Sequence, residues 1–238
     1  MIEVIATCID DAVKIEKYGG QRIELISGGT EGGLTPSYAL IKNVVQNVSI
    51  PVNVIIRPHA KSFIYSLKDI IIMKEDIQIA NELGANGVVL GVIDNEQSID
   101  EIKLQELLSV TKDLDVTFHK AIDETSDLVA SVKVLMKYPQ IKRILTSGGR
   151  GKIGNNFSII NKMVKTAKNK ITIMLGGGMT KEILESAINL TDATDFHFGT
   201  AVRDFSSYEG DINAKALKEI VMTHSKTHNK IAYKSMNE

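Results

Sequence analysis

Asp195-Phe196-His197-Phe198-Gly199 alternates two phenylalanines with an acid and an imidazole, then stops on glycine. In an extended strand, residues two apart share a face. Phe196 and Phe198 therefore point one way, and Asp195 and His197 the other. Other short runs repeat the split. Ile2 and Val4 oppose Glu3; Ile23 and Leu25 oppose Arg22 and Glu24. Val52, Val54 and Ile56 oppose Asn53 and Arg57; Val116 and Phe118 oppose Thr117 and His119.

These five runs are Ile2–Ala6, Arg22–Ile26, Val52–Arg57, Val116–His119 and Asp195–Gly199. With Gly87–Gly91, Arg143–Thr146 and Ile171–Leu175 they make eight. Their starts recur about every 20 to 35 residues, the spacing of a strand plus a crossover helix. Between them lie helical stretches at Asp10–Lys17, Ser37–Gln46, Ser66–Leu83, Gln105–Lys112, Asp127–Tyr138, Ser158–Lys168 and Thr180–Asn189. Thr35-Pro36 and Thr180 supply helix-start chemistry, with Glu182 following Thr180. Eight such units predict α/β architecture as a single (β/α)8 TIM barrel over residues 1–238. A polar, Lys-rich tail is expected to fray from about His224. The alternative is an open doubly wound sheet, but no dinucleotide fingerprint follows the first strand.

Strands of a parallel barrel are buried on both faces. The apolar set should pack outward against the helices. The polar set then converges on the barrel axis, where isolated charge is costly and must be paired with protein or with ligand. Glu3 and Arg22 come early in their strands and suit a salt-bridged plug deep in the barrel. Glu24 fits a plug or a site. Arg57, His119 and His197 end their strands, near the C-terminal mouth where barrel active sites sit.

Three glycine-rich turns also follow strand ends: Thr146-Ser147-Gly148-Gly149, Gly176-Gly177-Gly178 and Gly199-Thr200-Ala201. Glycines make tight turns, and they also let backbone N–H groups approach an anion. Beside Arg57, three such loops predict a pocket for an anion or polar oxygen built from Ser147, Gly148, Gly149, Gly177 and Gly178.

The chain has 238 residues, 43% hydrophobic and 24% charged, with a formal net charge of −1. That balance gives no general attraction to nucleic acid or anionic membrane. One cysteine, Cys8, excludes an intramolecular disulfide and fits a reducing compartment. The opening Met1-Ile2-Glu3-Val4-Ile5 lacks the basic start and apolar run of a signal peptide, and no apolar stretch approaches the ~20 residues of a spanning helix. A cytoplasmic protein without a membrane partner is expected.

Several motifs appear in order: Gly32-Gly33-Leu34-Thr35-Pro36-Ser37, Arg57-Pro58, Phe63-x-Tyr65-Ser66 and Thr117-Phe118-His119-x-Ala121-x-Asp123. Leu145-Thr146-Ser147-Gly148-Gly149 and Gly176-Gly177-Gly178 follow. Together they resemble the CutC family across nearly the whole chain. The resemblance implies a TIM barrel, a cytoplasmic home, self-association into a homo-oligomer and a link to copper homeostasis. The sequence departs from the family pattern at His59 and Lys120, each in place of arginine, and at Ile122 in place of phenylalanine. Ala60-Lys61-Ser62 replaces a turn containing Gly-Asp. Cysteines proposed to hold copper in some members fall where this chain has Ile5 and Ile26.

Three kinds of function follow. An enzyme acting on a small polar, anionic or sugar-like metabolite would use His119 as general acid/base, Glu24 as a second base or orienting group, and His197 to assist. Arg57 and the glycine loops would hold an oxyanion. Asp123 would orient Lys120 or cap a helix. A copper-handling protein would need soft ligands, and here copper rests on the resemblance alone, with Cys8 the weak metal candidate. A non-catalytic binding role on the same fold stays open.

Overall fold

The computed structural model describes residues 1–168 and 170–235, with side chains described as far as Lys226 excepting that of residue 169. Its eight strands are β1 (Ile2–Ala6), β2 (Arg22–Leu25), β3 (Val52–Ile55), β4 (Gly87–Leu90), β5 (Asp115–Phe118), β6 (Ile141–Thr146), β7 (Thr172–Leu175) and β8 (Asp195–Phe198). Each pairs in parallel with the next, and β8 returns to β1 with Glu3 beside His197, so the sheet closes as a (β/α)8 barrel. The helices are α1 (Ile9–Lys17), α2 (Tyr38–Asn47), α3 (Leu67–Glu82), α4 (Glu101–Leu108), α5 (Leu128–Leu135), α6 (Phe157–Ala167), α7 (Lys181–Leu190) and α8 (Ala214–Ser235). No helix of the described residues is long and apolar enough to cross a membrane.

Local chemistry sets the helix starts. Ser66 and Asp69 form a reciprocal capping box at α3, and the side chains of Ser37, Asp100, Asp127 and Thr180 each accept a first-turn amide. Asp100 begins α4 at Glu101, four residues before the helix expected from Gln105. The expected end at Lys112 is also displaced: Lys112 has a left-handed φ of 49° after the helix has stopped at Leu108. The stretch expected to fray from about His224 lies within α8, whose helical backbone continues to Ser235. His224 itself is buried, its Nε2 3.0 Å from the Met1 amino group. Residues 236–238 of that expected tail lie outside the described residues.

The two strand faces separate as the alternation predicts. Ile2, Val4, Ile23, Leu25, Val54, Phe118, Phe196 and Phe198 join the main core between sheet and helices. On the inner face the polar set occupies only part of the height. Ile5, Ile26, Ile55 and Val89 form a small separate cluster there, with Tyr208 packed on it. The barrel interior is thus charged low down and mixed toward the mouth.

Closure is reinforced by a pair far apart in sequence. Arg203, in the segment after β8, sends NH2 to Asp11 Oδ2 at 2.7 Å and to the Ile5 carbonyl at 3.1 Å, and NH1 to the Gly210 carbonyl at 3.0 Å. Burial opposes the Asp11 charge, but Arg203 and the Thr7 amide and hydroxyl hold its carboxyl below the usual range. Removing one partner of a buried pair strands the other charge. Asp11→Ala should therefore cost about 3–5 kcal/mol in urea unfolding, and adding Arg203→Met should recover part of that loss.

Candidate functional site

At the base of the barrel Arg22 links two strands. Its Nε donates to Glu3 Oε2, and its NH2 donates to Asp195 Oδ2 at 3.2 Å. Glu3 turns its other oxygen to His197 Nδ1 at 2.8 Å. Burial would raise the Glu3 pKa, but Arg22 and His197 override it and hold the carboxyl at about 2. His197 also loses affinity for its proton through burial. Glu24 and Glu3 more than reverse that, so its pKa is raised. The other ring nitrogen, Nε2, lies 3.6 Å from Glu24 Oε2. Glu24 is pushed up to about 7, first by burial and then, against the pull of His197, by the charge of Glu3. Arg22, Glu3, His197 and Glu24 form one buried series that runs from the base toward the mouth.

Above it opens a cavity of about 290 Å³. Glu24, Arg57, His119, Lys120, His197 and Tyr208 line it, with Ile5, Ile55, Phe63, Leu145 and Met179 as its apolar wall. Gly177, Gly178, Gly199 and Thr200 complete the rim. Arg57, His119 and His197 therefore meet at one mouth, with Glu24.

His119 sits in a tightly packed, fully buried setting. Its ring packs 4.7 Å from Phe63, and a methyl group at Gly91 would sit 2.4 Å from Nδ1. Nδ1 accepts the Ala121 amide at 3.2 Å, which assigns the ring proton to Nε2. Burial, and then the charge of Arg57, push the pKa down to about 3. Nε2 is buried with no partner among the described residues. At neutral pH the ring is therefore neutral, with Nε2–H as a donor.

Arg57 divides its guanidinium. NH1 donates to the carbonyls of Glu31 (2.8 Å) and Gly33 (3.0 Å), pinning the loop after β2. The group stacks 4.9 Å from the centre of Phe63, and Nε has no hydrogen-bond partner among the described residues.

The glycine loops behave differently from one another. Asp123 lies beneath the loop after β6 and accepts the Ser147 amide (2.9 Å), the Ser147 hydroxyl (2.6 Å), the Gly149 amide (2.9 Å) and the Thr146 hydroxyl. The Gly148 amide donates to Thr146 Oγ1 at 2.8 Å. Ser147 and Gly149, expected with Gly148 to hold an anion, already hold a carboxylate from their own chain, Gly148 donates to Thr146 instead, and none of the three lines the cavity. Asp123 accordingly braces this loop; neither role expected of it is the one seen. Gly177 and Gly178 do face the cavity. Cys8 is exposed and lies outside it; its sulfur accepts the Asp11 amide at 3.4 Å as the cap of α1, and partial desolvation raises its thiol pKa. The weak metal candidate is thus a helix cap. Glu3, Glu24 and His197 are the His/Cys/Asp/Glu group that could hold a metal among the described residues, with one ligand atom from each within 4.8 Å of the others.

Sequence reading missed Tyr208 and Arg203. Tyr208 lines the cavity with Arg203 5.5 Å from its ring, and burial, then Glu24, raise its pKa. Both sit in an irregular segment after β8 with no periodicity to mark them.

A model of the CutC family matches residues 1–202. The chain belongs to the CutC family. The human protein called copper homeostasis protein cutC homolog is 38% identical over 197 residues, covering 83% of this chain and 72% of that protein. A family protein CutC of Treponema denticola is 36% identical over 202 residues, 85% of this chain and 82% of the relative. The crystal structure of the putative copper homeostasis protein CutC from Streptococcus agalactiae superposes with a TM-score of 0.80 at 34% identity, covering 84% of this chain and 98% of the other. Phosphoribosyl anthranilate isomerase from Thermotoga maritima, at a TM-score of 0.63 and 13% identity over 94% of this chain and 98% of its own, shares the barrel fold.

The split protonation of this CutC site has a pH signature. The His119 pKa is depressed on folding, so its share of stability is complete above 6.5 and lost as pH falls toward 3. Glu24 is raised, so its share is complete below 4.5 and lost as pH rises through about 7. Glu24→Gln should be more stable than the parent at pH 8, by an amount on the order of a few kcal/mol that shrinks toward pH 4.5. Nitrogen NMR should show His119 as the Nε2–H tautomer, unchanged from pH 5 to 8. A His119 signal titrating near 6.5 would contradict this protonation state.

Proposed function

We propose that this CutC-family chain is an acid–base enzyme that acts in the cytoplasm on a small polar or anionic metabolite held at the barrel mouth. The observation that carries the reading is the division of labour among three buried groups on one cavity. Glu24, near 7, can take up or release a proton at neutral pH. His197, braced by Glu3, presents Nε2 to Glu24 and steadies its ionised form. His119 offers a neutral Nε2–H, with the Arg57 charge behind it, to an oxygen on which negative charge develops. His119 is therefore an oxyanion donor in this reading, and proton transfer passes to Glu24.

Copper is what the named relatives suggest, and the donor set here does not suit Cu(I), which prefers sulfur. Cys8 caps a helix away from the cavity, and Ile5 and Ile26 are apolar. Within the Glu3, Glu24 and His197 group, both Glu3 oxygens are committed to Arg22 and His197. Glu24 and His197 Nε2 then remain as two protein ligands. Copper effects in this chain would act through other molecules.

Exposed Leu67, Ile71 and Ile72 on α3 support the homo-oligomer that the family suggests.

Thermal-shift screening against metabolites should find a ligand that raises the melting temperature of the parent. With that ligand as substrate, Glu24→Gln should lower kcat roughly 10²- to 10⁴-fold with the fold intact. Full turnover by Glu24→Gln would end the reading. Sub-micromolar Cu(I) binding by the parent, abolished in Cys8→Ser, would favour the copper reading instead. Leu67→Lys with Ile71→Lys should reduce the assembly to monomers in sedimentation.

A further inference from the structure

We infer that the mouth carries a phosphate subsite, built from Lys120 and the backbone amides of Gly177 and Gly178, so that the metabolite is a phosphate monoester. The substrate assignment rests on the enzyme reading above; the subsite rests on its own geometry.

The glycine loop after β7 differs from the loop after β6 in one respect that decides its use. The β6 loop is filled by Asp123. Among the described residues, the amides of Gly177 and Gly178 donate to no protein acceptor. Both residues have left-handed backbones, with φ of 94° and 78°, and they lead into the amino-terminal end of α7, capped by Thr180. Vacant amides that precede a helix start suit an anion.

Charge points to the same place. A methyl group on Gly177 would stand 3.0 Å from Lys120 Nζ, so the ammonium lies against this glycine. Among the described residues neither Lys120 nor Arg57 forms a salt bridge, and Arg57 NH1 donates to two backbone carbonyls. Two cations on one small cavity without a carboxylate contact match a dianion better than a monoanion. An independent sign of a ligand is the His119 Nε2–H, on a side chain only 4% exposed and without an acceptor. With the phosphate on Lys120 and the Gly177–Gly178 amides, His119 and Glu24 remain on the wall of the same cavity for the rest of the molecule.

The test is calorimetric titration of the full chain with inorganic phosphate, at ionic strength matched with chloride. Saturable one-to-one binding is expected. Lys120→Met should weaken it roughly 10- to 100-fold, the effect of losing a charged hydrogen bond. Lys142→Met, which removes a cation from the Pro139 end of β6, should bind as the parent does. Circular dichroism and melting of both variants establish that they fold. Phosphate binding no stronger than chloride, or a Lys120→Met variant that binds like the parent, would overturn the subsite. The two readings fail separately. Neutral sugars that are turned over while phosphate does not bind would sink the subsite alone. Phosphate binding with no phosphorylated metabolite turned over would leave the subsite and sink the enzyme.

Discussion

The packed floor of a closed parallel barrel leaves little solvent to screen charge, so an ion buried there must find a partner. Arg22 meets that constraint first. It joins Glu3 on β1 to Asp195 on β8, on either side of the seam where the sheet closes. With its charge met by Arg22, Glu3 stays ionised in full burial and can fix His197 by one ring nitrogen. The free nitrogen then faces Glu24. Without Arg22, Glu3 would lose the cation that keeps it ionised in full burial, and His197 would lose the firmly ionised carboxylate that orients its Nδ1. The state of the mouth is thus decided at the floor.

Strand alternation made much of this legible. A period of two placed Glu3, Arg22, Glu24, Arg57, His119 and His197 on the inner face, and eight regular units implied a closed barrel. Alternation gives direction and height along a strand. It does not give protonation, which depends on what lies across the barrel. His119 was read from the ordinary behaviour of imidazole. In the fold, burial and the Arg57 charge push its pKa down while the Ala121 amide occupies Nδ1, and the first two depend on strand packing.

The glycine loops illustrate a second limit. Two turns of nearly the same composition follow β6 and β7, and the residues within each do not say whether it is vacant. The deciding residue for the β6 loop is Asp123, more than twenty positions earlier in the turn after β5. Arg203 and Asp11 were hidden for the same reason, at a separation of 192 residues. A carboxylate in a short polar turn looks like a helix cap until the fold brings a set of donors over it.

The choice between a structural plug and a functional site can be argued height by height. A self-sufficient plug pairs its charges and satisfies its donors, and the base does this: Arg22, Glu3 and Asp195 are mutually bonded. At the mouth the pattern reverses. Glu24 is held with a proton affinity that weakens folding at neutral pH, and among the described residues the His119 Nε2–H lacks an acceptor and Arg57 Nε a partner. Each of these lowers stability and could be relieved by an apolar or better paired side chain. Strain of this kind gathered around a single cavity is what a ligand would relieve. We therefore read the lower half of the axis as the support and the upper half as the site, divided at the contact between His197 and Glu24.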